Sequence, residues 1–334
     1  MEISSGVLVQ VTESSQVSEA RRRAMSAAST LGFDETASGR LALVVTEVAT
    51  NLIKHARGGE VFIGPAADGA QRGVQVIAID KGRGMSNVGA SLRDGFSTAG
   101  TPGTGLGAIQ RASNTFDVYS APQGGTVVAA TVYPIGNRSP ILGGVSVPAP
   151  NELECGDGWA VWSAGQLTSI FLCDGLGHGT EAAHATRVAI DAFRKHAERG
   201  ASAVVQFVFD ALKSTRGAAV ALAALDHREA RLTFCGLGNI AGAIVSEGES
   251  PRHLVSHNGI AGHTMRRLQE FTYPLPPGSL VVLHSDGVGT SWSLNKYTGL
   301  SVRRPDVIAG VLYRDFRRGK DDATVVVARN GVAA

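Results

Sequence analysis

Cysteine is scarce in this sequence: 334 residues hold Cys155, Cys173 and Cys235 and no others, with no C-x-x-C pair. The odd count and wide spacing exclude a disulfide framework and a zinc ribbon. Each cysteine lies in or beside an apolar segment and so reads as a small buried hydrophobe. Charge of one sign is missing too. A formal net charge of +2 gives no global field for nucleic acid or anionic lipid, and neither is a predicted partner. No apolar run approaches the roughly 18 residues that span a bilayer. The start, Met1-Glu-Ile-Ser-Ser, lacks the charged and apolar regions of a signal peptide, so the reading is a cytoplasmic protein without membrane contact. What is present, 43% hydrophobic and 18% charged residues, is the composition of a folded chain. Single cores stop growing at about 250 to 300 residues, so the length favours two domains.

The first half opens with a strand over residues 5–13 and a helix over Val17 to Leu31 whose basic face, Arg21 to Arg23, reads as solvated. A second helix is predicted from Asp34, its cap, to Ala56, with Leu41, Val44, Val45, Val48 and Leu52 facing a core. On another face Glu47 and Asn51 stand one turn apart, and Lys54 and His55 follow near the helix end. After strands at Val61 to Ile63 and Val74 to Ile79 comes Asp80-Lys-Gly82-Arg-Gly84. This is a carboxylate at a strand end, with glycines that let the backbone approach a flat ligand while Asp80 accepts from an exocyclic amine. The run Gly103-Thr-Gly105-Leu-Gly107 then opens a predicted helix, Leu106 to Phe116, whose N-terminal amides and dipole suit an anion. It is not a Rossmann fingerprint, since it follows a loop, and not a Walker motif, since no Gly-Lys-Ser/Thr follows. Strands at Asp117 to Ser120 and Thr126 to Tyr133 end this half. Prolines 134, 140, 148 and 150 with Gly136, Gly143 and Gly144 mark the boundary, giving domains at 1–137 and 147–331 joined by a linker, 138–146.

The second half alternates strands with two predicted helices, Thr180 to Glu198 and Ser202 to Ser214. Asp157, Asp174, Asp286 and Asp322 all fall at or near strand ends, each beside a glycine or another acid. One turn aspartate is unremarkable. Four converging on one edge would repel unless cations lay between them, the logic of a two-metal, oxygen-ligand site to which a bare Gly175 carbonyl also contributes. His178 could protonate a leaving oxygen, but a loop histidine without a chemical role is the preferred reading, as is a solvated pair for Arg266 and Arg267.

In order, Glu47…Asn51, Asp80-x-Gly82-x-Gly84, Gly103-x-Gly105-x-Gly107 and Thr126 resemble the GHKL nucleotide-binding fold of histidine kinases, gyrase and a chaperone family. The stretch Thr46-Glu-Val-Ala-Thr-Asn51-Leu-Ile-Lys54-His55-Ala56 is most similar to the small anti-sigma-factor serine kinases of the RsbT and RsbW group. The resemblance implies ATP with Mg²⁺, Asn51 helping to hold the ion, Asp80 on adenine with Gly82 and Gly84 beside it, and Gly103, Gly105 and Gly107 as a phosphate-side lid. Glu47 would be the general base toward a serine hydroxyl. Lys54 either approaches the phosphates or acts as a cation at the helix end, and both readings stand.

The second half, with Gly156-Asp157, Asp174-Gly175-x-Gly177-His178-Gly179, Ser285-Asp286-Gly287 and Asp321-Asp322-Ala-Thr324, resembles the PPM-type serine/threonine phosphatases, SpoIIE and RsbX among them. The resemblance implies two Mn²⁺ or Mg²⁺ ions held by Asp157, Asp174, Asp286, Asp322 and the Gly175 carbonyl, and in-line attack by a bridging hydroxide on phosphoserine or phosphothreonine. Gly236-Leu-Gly238-Asn239 and Asn258-Gly-Ile-Ala-Gly262 depart from the family pattern, on what reads as the substrate side. The expected fold is therefore a two-domain α/β (α+β) chain, a GHKL α/β sandwich followed by an αββα phosphatase sandwich. The expected function is a bifunctional switch, kinase and phosphatase, acting on a STAS-type anti-sigma antagonist. The alternative is a phosphatase whose first domain only senses nucleotide or grips a partner. A homodimer is an open possibility.

Overall fold

The computed structural model of the protein describes residues 6–68, 71–92, 105–134 and 141–331. They form two compact units. One holds the described residues between Gly6 and Pro140 together with Val302–Arg314, and the other holds Ile141–Ser301 and the described residues from Asp315 onward. Among the described residues, no helix is long and apolar enough to cross a membrane.

The first unit contains β1 (Val7–Val11), α1 (Ser14–Thr30), α2 (Glu35–Asn51), β2 (Gly59–Asp68), β3 (Gln71–Ile79), the short α3 (Val88–Ser91), α4 (Gly105–Ala112), β4 (Thr115–Ser120) and β5 (Thr126–Val132). Its antiparallel sheet runs β1-β2-β3-β5-β4. Small residues on α1, Ala20, Ala24 and Ala28, and Leu41, Val44, Val45 and Val48 on α2 pack on Val74, Val76, Ala78, Val128 and Ala130 of the sheet. Asp34 caps α2, its Oδ1 accepting from Ala37 N at 2.7 Å. The predicted single helix from Asp34 to Ala56 is in fact two. The α-helical ladder ends at Asn51, and Leu52–Ala56 continue with the wider spacing of a π-helix, a turn form frequent at functional sites. The helix expected over Leu106 to Phe116 stops at Ala112. Asn114 is drawn out of it by its side chain, which accepts from Tyr133 N at 2.8 Å, and Phe116 enters β4 opposite Ala130.

The second unit contains β6 (Leu142–Val147), β7 (Asp157–Ala164), β8 (Leu167–Gly175), α5 (Thr180–His196), α6 (Ala201–Ala211), β9 (Ala218–Asp226), β10 (Arg231–Leu237), β11 (Ala241–Val245), β12 (Arg252–His253), β13 (Gly259–Ile260), β14 (Thr264–Met265), β15 (Phe271–Pro274), β16 (Leu280–His284) and β17 (Ala323–Arg329). Two five-stranded sheets, β15-β10-β9-β8-β7 and β12-β11-β16-β17-β6, make a sandwich. Gly144 of β6 lies close against Trp159 of β7, where an added Cβ would stand 2.8 Å from the indole. Helices α5 and α6 cover the first sheet with Ala185, Ala189, Phe193, Val204 and Val208 packed on Phe171, Val220 and Leu222. Phe171 and Phe193 stack with centroids 5.1 Å apart. All three cysteines are buried and free, and two of them, Cys173 and Cys235, belong to this core.

A last helix, α7 (Pro305–Phe316), was not foreseen, and its segment Val302–Arg314 belongs to the first unit although the sequence boundary assigns all of 147–331 to the second domain. Its residues from Pro305 to Arg314 are all buried, so no polar face betrays a helical period. Gly310 allows it to lie on the sheet face opposite α2: an added Cβ would stand 2.8 Å from Val127 and 3.1 Å from Ile77. Asp117 of β4 fixes the entry, accepting from Arg304 N at 2.8 Å and from Arg303 Nη1 at 3.3 Å, while Arg304 pairs with the buried Asp306. This second cover explains why β3 and β5 are apolar on both faces.

Candidate active sites

In the first unit the end of α2, the end of β3 and the start of α4 meet. Glu47 and Asn51 are half-buried on successive turns of α2. Gly105, the first residue of α4, lies against both. A Cβ there would stand 3.2 Å from Asn51 Oδ1, 3.3 Å from Asn51 Nδ2 and 3.6 Å from Glu47 Oε2. Glycine at this position brings the N-terminus of α4, with its unpaired amides and positive dipole end, beside a carboxylate and an amide. Gly107 is buried in the same helix, and Gly103 lies outside the described residues.

Asp80 is held rigidly at the end of β3. Its Oδ1 accepts from Gly82 N at 2.7 Å and Thr126 N at 3.2 Å, and its own N donates to Thr126 O at 2.9 Å. Among the described residues nothing donates to Oδ2. Burial pushes the Asp80 carboxyl up, while the Gly82 and Thr126 amides and the charges of Arg314 and His55 pull it back. Gly82 packs on Ala56, and Gly84, at φ +65°, lies so near the Ala121 carbonyl that a Cβ would overlap it. The Thr126 hydroxyl is engaged by Ser120 Oγ at 2.9 Å. Lys54 is exposed. Two residues absent from the sequence reading, Ser120 and Gly125, complete this corner. A Cβ on Gly125 would overlap the Asp80 carbonyl.

In the second unit the carboxylates gather where the two sheets meet. Asp157 opens β7 and stands directly opposite Asp174 in the β7–β8 ladder. Gly175 follows, opposite Ala218, with its N donating to Gly156 O at 3.1 Å. From the other sheet, Asp286 follows β16 and Asp322 precedes β17, and the two loops are tied by Ser285 N to Thr324 O at 3.1 Å and Thr324 N to Ser285 Oγ at 3.0 Å. Asp322 reaches across the sandwich: its Oδ1 accepts from Ala149 N at 2.8 Å, and its Oδ2 lies where a Cβ on Gly156 would be 2.6 Å away. Asp157 and Asp322 are 2% and 3% exposed, and the Oδ2 atom of each is buried with no hydrogen-bond partner.

A buried carboxylate oxygen without a donor is costly, by about 1–3 kcal/mol or more. The electrostatics agree. Asp174 is pushed up to about 7 by burial and by the charges of Asp286, Asp321 and Asp322. Asp157 is pushed well above the usual carboxylate range by burial and Asp174, against donation from Ser285. Asp286 and Asp322 are raised, each first by burial and then by Asp321 among its neighbours. Asp321 is thus a member of the cluster that the sequence reading left out of the ligand set. Orphaned, mutually repelling hard oxygens are the donor set that divalent cations suit. The grouping is open: among the described residues no three His, Cys, Asp or Glu side chains close on one point.

Two neighbours revise the sequence reading. Asn239, taken there as a substrate-side departure, donates from Nδ2 to Asp286 Oδ2 at 2.8 Å and so touches a candidate ligand. His178 is exposed and bonded through Nδ1 to Glu152 Oε1 at 2.6 Å, away from the carboxylates' own contacts. Arg266 and Arg267 are exposed.

Comparison with known proteins finds a separate match in each half of the chain. Residues 11–132 match the model of a histidine kinase-like ATPase domain, and residues 164–330 match that of stage II sporulation protein E (SpoIIE). The serine/threonine-protein kinase RsbT of Bacillus subtilis (strain 168) is 32% identical over 111 residues, 33% of this chain and 84% of RsbT. The phosphoserine phosphatase RsbX of the same organism is 21% identical over 134 residues, 40% of this chain and 67% of RsbX. A crystal structure of RsbX in complex with magnesium superimposes with a TM-score of 0.50 at 19% identity, covering 56% of this chain and 92% of that one. A structure from work on the bacterial stressosome, as a modular system adapted to control secondary messenger signalling, gives a TM-score of 0.53 at 27% identity, over 56% of this chain and 98% of the other.

Proposed function

We propose, for a chain that belongs to the SpoIIE family through residues 164–330 and to the RsbT-like ATPases through residues 11–132, that its two units write and erase the same phosphate on one protein switch. The chain carries a PPM-type serine/threonine phosphatase domain and an RsbT-like kinase domain. Further, the proposal is that the first transfers phosphate from ATP to a serine or threonine of a STAS-domain antagonist and the second removes it. The observation that carries the erasing half is the facing pair Asp157 and Asp174, with buried, unpartnered oxygens on Asp157 and Asp322.

In the phosphatase unit, Asp157, Asp174, the Gly175 carbonyl, Asp286 and Asp322 would hold two Mn²⁺ or Mg²⁺ ions, which supply Lewis-acid polarisation of the phosphoryl group and an acidified water nucleophile. The chain fixes that donor set beforehand. The β7–β8 register sets Asp157 against Asp174, the Ala149 amide aims Asp322, and Asn239 orients Asp286. In the kinase unit, Asp80 Oδ2 would accept from the adenine amine, with Oδ1 locked by two amides. Asn51 would contribute its carbonyl oxygen to Mg²⁺. The α4 amides at Gly105 would receive phosphate oxygens, and Glu47, on the same side, would take the proton of the attacking hydroxyl. The nearness of Glu47 to Gly105 favours a kinase over a nucleotide sensor.

The test incubates a candidate STAS-domain protein with the chain and γ-labelled ATP. Label accumulates on the STAS protein with the Asp174→Ala variant, stays low with wild type, and is absent with Glu47→Ala. Nucleotide binding without any label transfer by Asp174→Ala would leave the first unit a sensor.

A further inference from the structure

The phosphatase cluster is rich in negative charge, and its substrate is an anion, so a cation is required at its mouth that is not already engaged. We propose that Arg216 is the residue that grips the phosphoryl group of the substrate, donating two N–H groups to its non-bridging oxygens. This rests on the phosphatase reading above. The position follows from the β8–β9 ladder. Gly175 pairs with Ala218, Leu176 N donates to Gly217 O at 3.0 Å, and one residue further along each chain come Gly177 and Arg216. The guanidinium lies over the metal-binding loop, for a Cβ on Gly177 would stand 3.4 Å from Arg216 Nη1. Gly177 has φ +82°, so the loop curls there without a side chain and leaves the guanidinium room.

Arg216 is exposed, and among the described residues it makes no hydrogen bond or ion pair. Two nearby side chains are engaged elsewhere, and a third cation sits on the other side of the cluster. His178 is bonded to Glu152 and His263 to the Thr215 carbonyl at 3.1 Å. Arg318 is placed by its backbone, N donating to Gly287 O at 2.8 Å, so that its charge bears on Asp286 at the β16 end of the cluster, whereas Arg216 stands at the β8 end beside Gly177. Other arginines of this unit have found acids, Arg187 with Glu154 and Arg194 with Asp191. An arginine that stands two residues along the paired strands from Asp174-Gly175 and pairs with none of the five carboxylates is left with its planar fork directed to an incoming anion. That fork matches a phosphoryl group in two-point fashion, which a lysine ammonium does not.

The experiment uses the full chain in Mn²⁺ and compares wild type, Arg216→Ala, Arg216→Lys and the double variant Arg266→Ala/Arg267→Ala. Inorganic phosphate is the probe, its affinity read as inhibition of aryl-phosphate hydrolysis and directly by calorimetry, and Mn²⁺ binding is read as the shift in melting temperature. Loss of a charge-assisted two-point contact predicts phosphate binding weakened about tenfold or more in Arg216→Ala, with a matching rise in KM. Arg216→Lys recovers part of it, the Mn²⁺ shift is unchanged, and the double variant behaves as wild type. Phosphate binding within twofold of wild type in Arg216→Ala overturns the proposal. So does a parallel loss of the Mn²⁺ shift, which would make Arg216 a support of the loop. If wild type shows no Mn²⁺-dependent turnover, the phosphatase reading fails separately, and calorimetry with phosphate still decides the role of Arg216.

Discussion

Replacing Asp174 by asparagine should make the metal-free protein more stable at neutral pH while abolishing its response to metal. Asp174 faces Asp157 across the β7–β8 ladder and feels Asp286, Asp321 and Asp322, and its carboxyl is pushed from 3.8 up to about 7. A folded-state pKa above the unfolded one means that the native protein binds the proton more tightly. Its stability is therefore fully present below about pH 4 and falls as pH rises toward about 7. That displacement amounts to roughly 4 kcal/mol at pH 8. For a unit of this size that is a melting shift on the order of 10 °C. Asparagine retains the shape without the charge. Melting by circular dichroism in EDTA should show wild type losing stability from pH 5 to pH 8 and Asp174→Asn losing much less, so that the variant melts higher at pH 8. Added Mn²⁺ should raise wild type and leave the variant in place. A variant that melts below wild type at pH 8 in EDTA, or responds to Mn²⁺ as wild type does, would refute the picture of a repelling, metal-demanding cluster.

Other perturbations separate the parts. Asn239→Ala frees Asp286 Oδ2 from its donor, and the Mn²⁺ concentration for half-maximal turnover should rise about tenfold, with little change at saturation, as followed by aryl-phosphate hydrolysis. Asp80→Asn retains the Oδ1 acceptor for Gly82 and Thr126 but turns the free oxygen into a donor, so titration with a fluorescent ATP analogue should show binding weakened by about tenfold or more. Gly310→Val forces methyl groups into Val127 and Ile77, and overpacking of this kind should cost about 1–3 kcal/mol in urea unfolding of the first unit, without touching the residues that bind nucleotide.

The phosphatase corner was legible because its chemistry is local in sequence. Asp174-Gly175 ends an apolar strand and Asp286-Gly287 follows another, so strand ends and carboxylates could be read together. What could not be read was the company those residues keep. Asp321 enters through long-range repulsion, and Asn239 meets Asp286 because the β11–β16 ladder that pairs Ala241 with His284 brings together the residues just beyond its end. Helix α7 was missed for a different reason. Every position from Pro305 to Arg314 is buried, so the hydrophobic pattern has no polar side from which a period could be recognised. Its placement on β3 and β5 depends on Asp117 meeting Arg303 and Arg304 over a sequence distance that no local signal spans. The break at Asn51 is equally silent in sequence, since Leu52 to Ala56 are ordinary helix formers and only the structure shows the wider turn.

In the proposed switch, this one chain removes the phosphate that its own kinase unit installs. The most direct measurement is phosphate release from a purified STAS protein phosphorylated on serine, mixed with the chain and Mn²⁺ without ATP. The account predicts release that needs Mn²⁺, vanishes in Asp174→Ala and persists in Glu47→Ala. Release that continues in EDTA, or survives Asp174→Ala, would contradict it.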